Sequence, residues 1–138
     1  MVHRRSIEVF INKILRLILN VKFDANNVPL VPTNDMYKSL KIMKFPDVYK
    51  YFLLRFIHHA FYTKPALFRE YFEDLFPSHA YRMRVSRINL PSSRLQVEKQ
   101  FLVHQCCKLY NELPGDLLEP QSESALKLKY KDFVLNRY

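Results

Sequence analysis

Glycine is almost missing from this chain. Gly115 is the one glycine, against eight prolines in 138 residues. A loop that cradles phosphate needs several glycines, so that backbone N–H groups can approach the phosphate oxygens. Walker-type and Rossmann-type nucleotide binding are thereby excluded. Tight two-residue hairpins also lean on glycine. An extensive antiparallel sheet is therefore not expected, and helices separated by prolines are. Cysteine is scarce too. Cys106 and Cys107 are adjacent, which does not favour a bridge between them and supplies no disulfide scaffold. That usage fits a reducing compartment, inside the cell, in nucleus or cytoplasm. No apolar run reaches the roughly 18 residues of a membrane span; Lys50, Arg55, His58 and His59 interrupt the best candidate. The opening stretch has basic residues before apolar ones, but Glu8, Asn12, Lys13 and Arg16 fall inside it and no small-residue cleavage site follows. It reads as an amphipathic helix, not a signal peptide. Acidic residues are the last shortage: 13 Asp and Glu against 22 Lys and Arg, a net charge of +9. Such a balance suits a polyanionic partner, nucleic acid or an anionic membrane surface.

What the chain does have is apolar and aromatic side chains, 49% and 14% of the residues. That supports a domain with a real core and argues against disorder. The densest apolar segment, Asp35 to Tyr62, is cut by Pro46. Proline disfavours the helical region for the residue before it and fits the first turn of a helix. A short helix from Asp35 to Met43 is expected, capped by Thr33 or Asn34, then a long one from Pro46 to about Thr63. Asp47 suits the positive end of the long helix. Tyr49, Phe52, Leu53, Phe56 and Ala60 share one face of it, and Val48, Tyr51, Leu54, Ile57 and Phe61 cover most of the rest. A helix this apolar is expected to be wrapped by the others.

Before it, Ser6 to Val21 is predicted as a helix with Ile7, Phe10, Ile11, Ile14, Ile18 and Val21 as its inward stripe, widened by Leu15, Leu17 and Leu19. Residues 22–34 form a proline- and asparagine-containing loop, with Val28, Leu30 and Val31 filling a groove between helices. After it, Pro65 opens a helix over 66–75, and Pro77 ends it. From Ser78 to Arg94 helical periodicity vanishes, and Arg82, Arg84, Arg87 and Arg94 gather with no acidic residue among them. Alternation there, and again over 96–103, suggests extended pieces. A helix holding Cys106, Cys107, Leu109 and Tyr110 follows and closes at Pro114–Gly115. Ser122 or Ser124 caps a last helix with Leu126, Tyr130, Phe133 and Val134 inward.

Catalytic and metal chemistry find little support in the pattern. His58–His59 and His104–Gln105–Cys106–Cys107 are the two metal-like clusters, but adjacent residues point in different directions on a helix. Cys106 or Cys107 with a histidine would make a small hydrolase, yet nothing marks an activated thiolate. Glu73–Asp74 after Phe72 lacks the further carboxylates that a two-metal phosphoryl-transfer site needs. No metal, cofactor or catalytic residue is expected. The arginine stretch is the strongest signal. Arginine grips phosphate in bidentate fashion and stacks on bases, and tyrosine offers stacking surface to unpaired bases. The candidate contacts are Arg82, Arg84, Arg87, Arg94, Lys99 and Tyr81, with RNA or DNA backbone as partner. The rival reading is a basic surface segment of a helical protein-interaction module whose partner is acidic.

Several segments together carry a resemblance. Residues 14–58, with their "ILRLILN" run, proline-containing loop and Leu40, Ile42, Asp47, Val48, Tyr49 step, resemble the region after the catalytic palm in reverse transcriptases of non-LTR retrotransposons of the jockey-like lineage. Tyr81 to Arg84 resembles that family's Tyr-Asn-Thr-Arg segment, with Met83 in place of the threonine. Leu109, Asn111, Leu113 and Pro114 resemble its Leu-Trp-Asn-x-Leu-Pro box, with Tyr110 for the tryptophan. The lysine-rich ending resembles the terminal helix. The resemblance implies a thumb-like helical part followed by a basic tail beside template and primer. It also implies a segment that does not polymerise by itself, since fingers and palm are not among these residues. The expected architecture is mainly α, a bundle of about five to six helices with a short extended or two-stranded segment near 80–103. It divides into a thumb-like subdomain 1–77 and a basic segment with C-terminal helices 78–138, or forms one compact domain.

Overall fold

The structure, a computed structural model, describes residues 2–75, 88–90 and 102–138. Among them the chain is mainly α and has no strand. Its helices are α1 Val2–Ile18, α2 Thr33–Ser39, α3 Phe45–His58, α4 Pro65–Tyr71, α5 Leu102–Glu112 and α6 Glu123–Leu135. α3 continues into a π-helical turn, His59–Thr63, and short 3-10 turns occupy Glu73–Leu75 and Gly115–Leu117. Most of the expected extended segment lies outside the described residues. Ile88 to Leu90 have no regular structure, and Leu102 and Val103 begin α5 instead of ending a strand.

With glycine so rare, other residues take the left-handed positions that end helices. Asn20 has φ 47° and Lys41 has φ 51°. After α1, Val21 N bonds to Arg16 O and Asn20 N to Leu17 O; after α2, Ile42 N bonds to Tyr37 O and Lys41 N to Lys38 O. Both are Schellman closures built without glycine. The second explains why α2 stops at Ser39 and not near Met43. At its start α2 receives no side-chain cap from Thr33 or Asn34; Asn34 instead donates to Tyr138 O at 3.0 Å and accepts from Lys44 Nζ at 2.6 Å. α6 does have its expected cap, with Ala125 N donating to Ser122 Oγ at 3.3 Å.

The chain divides into two compact units, Met1–Val48 with Lys131–Tyr138, and Tyr49–Tyr130. In the first, Leu15, Met36 and Tyr37 form the core, with Ile11, Leu19, Val21, Val31, Leu40 and Tyr138 packed on it. The expected inward stripe of α1 is corrected here. Ile7, Phe10, Ile14 and Ile18 are exposed, Phe10 by 64% and Ile18 by 65%, and Leu15 carries the burial. The apolar surface of α1 is wider than the core it meets, and periodicity marks the stripe but not the part that is covered. Val28 and Leu30 are also exposed. Asp24 Oδ1 accepts from Asn26 N and Val28 N, and the isolated Phe23–Pro29 bridge closes the loop on itself. Val31 alone of the three packs on the core.

In the second unit the buried side of α3 is Tyr51, Leu53, Leu54, Ile57 and His58, followed by Ala60. Tyr49 and Phe52, expected inward, are exposed. Phe72 is buried after α4, among Phe56 and Phe61, while no residue of α4 itself is fully buried. Cys106, Cys107 and Leu109 are buried on α5, Leu117 in its 3-10 turn, and Leu126 and Tyr130 on α6.

Candidate nucleic-acid interface

Tyr81, Arg82, Arg84, Arg87, Arg94 and Lys99 all lie outside the described residues. What the structure gives is the anchorage beside them. Ile88, next to Arg87, is buried. Its backbone is held twice by one side chain: Ile88 N donates to Asn111 Oδ1 at 2.9 Å, and Asn111 Nδ2 donates to Ile88 O at 2.8 Å. Asn89 N then donates to Leu75 O at 2.8 Å. A side-chain amide used in this way copies the two-bond pairing of a strand neighbour and leaves neither backbone group orphaned. The residues flanking 76–87 are thus tied to each other and to α5. Asn111 was visible in the sequence as part of a motif-like box, but its partner lies far away along the chain and no local signal names it.

A second feature lies within the described residues, and sequence reasoning missed it. One side of α3 and its π-helical turn, with Phe52, Arg55, Phe56, His59, Tyr62 and Thr63, faces Gln121, Glu123 and Leu126 across a groove of about 430 Å³. Positions 52, 55, 59 and 62 follow helical spacing, which was the available signal. Phe52 is 55% exposed and Tyr62 48% exposed. The Tyr62 hydroxyl donates to Leu118 O at 2.5 Å. Burial pushes the Tyr62 hydroxyl above its ordinary pKa, with Tyr110 and Glu119 adding to it. The hydroxyl stays protonated and anchored, so the ring is the part of Tyr62 that solvent meets. His58 is buried behind the groove, its Nε2 2.8 Å from Leu117 O. A carbonyl only accepts, so Nε2 carries the hydrogen. Arg55 Nε pairs with Glu123 Oε1 at 2.9 Å, both half-exposed. Such a surface pair contributes little stability, but it sets the guanidinium beside Glu123 at the groove.

The cysteines are placed against nucleophilic chemistry. Burial pushes Cys106 up to about 12, with Cys107 beside it adding to the rise. Burial also pushes Cys107 up to about 11. A thiol held protonated is not a nucleophile at neutral pH. Among the described residues no three His, Cys, Asp or Glu side chains gather as metal ligands, and no helix is long and apolar enough to cross a membrane. Comparison with protein-family models, curated proteins and solved structures finds no match to this chain.

Proposed function

We propose that this chain is a non-catalytic nucleic-acid-binding segment. Arg82, Arg84, Arg87 and Arg94, helped by Lys99 and Tyr81, grip the backbone of RNA or DNA, and no cofactor takes part. The arrangement corresponds to the post-palm thumb and tail of a jockey-like RNA-directed DNA polymerase. The observation that carries this reading is the run from Ser78 to Arg94, four arginines without one acidic residue in a chain of net charge +9. The Asn111 clamp on Ile88 supports it by fixing the chain next to Arg87. Four arginines meeting phosphates of a single strand give log K against log salt a slope of about −3, from about 0.7 per phosphate. Titration of a labelled single strand at several salt concentrations measures it. Changing the four to alanine flattens the slope; a slope already flat in the unaltered protein overturns the reading.

A second reading has one observation in its favour. α1 leaves Phe10, Leu17 and Ile18 in solvent, Leu17 by 81%, and a contiguous apolar face of that kind marks protein contacts. On this reading the chain is a helical interaction module whose basic surface meets an acidic protein. Binding to that protein survives nuclease treatment and is lost on Phe10→Glu with Leu17→Glu.

A further inference from the structure

We infer that the groove between the α3–π-turn face and residues 121–126 is a stacking site for the unpaired bases of a single strand. The inference rests on the nucleic-acid reading and assigns a second contact that the arginine stretch does not provide. Three planar groups line the groove, and each has a neighbour within the protein. The Phe52 ring lies 5.8 Å from that of Tyr51. The Arg55 Nε lies 2.9 Å from Glu123 Oε1. The Tyr62 ring is 5.3 Å from that of His58, with its hydroxyl tied to Leu118 O. A ring anchored as Tyr62 is loses little freedom when a flat ligand lies on it. A base offers a π-face to either ring and to the guanidinium, whatever its sequence.

The net charge of +9 on the chain favours a polyanionic occupant over a neutral flat one. Among the described residues, Glu123 is the one carboxylate lining the groove. Arg55 pairs with it, while Glu119 acts on the Tyr62 hydroxyl, so phosphodiesters are placed at the Arg55 end of the groove. The groove volume, about 430 Å³, admits bases while its open side leaves the backbone in water. Phe52 and Tyr62 are ten positions apart, about 15 Å along a helix. At about 3.4 Å per stacked nucleotide, that is a run of about four.

The test compares labelled octathymidylate with an abasic octamer of the same phosphate backbone, using the full chain. Stacking predicts that the octathymidylate binds more tightly. Phe52→Ala and Tyr62→Leu each weaken its binding about tenfold, with the salt slope unchanged and the abasic octamer unaffected. Phe52→Trp keeps the affinity, which separates loss of the ring from loss of the fold. Leu128→Ala, another exposed apolar change, has no effect. Equal binding of the two octamers with a slope near −3, or full affinity in Phe52→Ala with Tyr62→Leu, overturns the groove and leaves the arginine reading standing. A flat slope with base preference lost in Phe52→Ala supports the groove and removes the arginine reading. Binding of neither octamer overturns both.

Discussion

The two compact units use aromatic rings in opposite ways. In the unit of residues 1–48 and 131–138, Tyr138 is surrounded by polar partners. Its hydroxyl accepts from Lys44 N at 2.8 Å and donates to Asp47 Oδ2 at 2.7 Å. Lys44 Nζ stands 4.3 Å from the ring centroid, and Tyr37 meets the ring edge-on at 6.2 Å. In the unit of residues 49–130, rings meet rings. Phe61 has Phe68 at 5.0 Å, Phe72 at 5.3 Å and Tyr110 at 5.6 Å between centroids. Directional bonds define one position well but remove little apolar surface from water. Ring clusters remove a great deal. The first unit accordingly leaves most of the α1 stripe in solvent, while the second buries Phe72 almost completely.

That contrast is broken most strongly at Phe72. Phe72→Ala empties the middle of the ring cluster and costs about 3–5 kcal/mol, read from the urea midpoint. Next comes Asn111→Ala, which leaves the Ile88 N–H and C=O unpartnered. Both bonds are only part-buried, so at about 1–2 kcal/mol for each orphaned group, the low end for such a group, the loss totals about 2–4 kcal/mol. Hydrogen exchange at the Ile88 amide rises more than the global loss accounts for. In the first unit, Tyr138→Phe keeps the ring and removes the hydroxyl that joins Lys44 N to Asp47. The expected cost is about 1–2 kcal/mol in the same urea assay. A loss as large as that of Phe72→Ala would mean that the two units do not differ in the way described. The smallest effect has the opposite sign. Lys41→Gly relieves a left-handed residue with a Cβ and stabilises by up to about 1 kcal/mol, a rise of a few degrees in Tm for a domain of this size.

Much of this could be read from the residues, and what could not has identifiable causes. Pro46 does separate α2 from α3, although α3 begins one residue before it, at Phe45, which was expected to be extended. Ser122 caps α6, and Cys106, Cys107 and Leu109 are buried on one helix. These depend on local rules. The side of a helix that meets the core does not. α1 and α3 are both apolar over more than one face, so periodicity alone gave no reason to choose Leu15 over Phe10, or Tyr51 over Phe52. The clamp of Asn111 on Ile88 joins positions distant in sequence, and the Phe52–Arg55–Tyr62 groove depends on Glu123 and Gln121 arriving opposite it. The end of α2 was missed for a different reason: a lysine takes the left-handed position that is usually glycine's.

Cys106 and Cys107 carry a consequence of another kind, because they make the molecule its own clock. Both thiols ordinarily titrate near 9.0 and are pushed up to about 12 and about 11 when folded. Folding favours the protonated forms. Their contribution to stability is whole below pH 9 and drains away as the pH climbs through about 11 for Cys107 and about 12 for Cys106. At pH 8 the folded thiols present neither thiolate nor access, so a thiol reagent reacts only with chains that have opened. The rate of labelling then counts openings of α5, and saturating the reagent turns that count into an opening rate constant. Two neighbouring reporters that label together, at one rate, would show the helix leaving as a single piece.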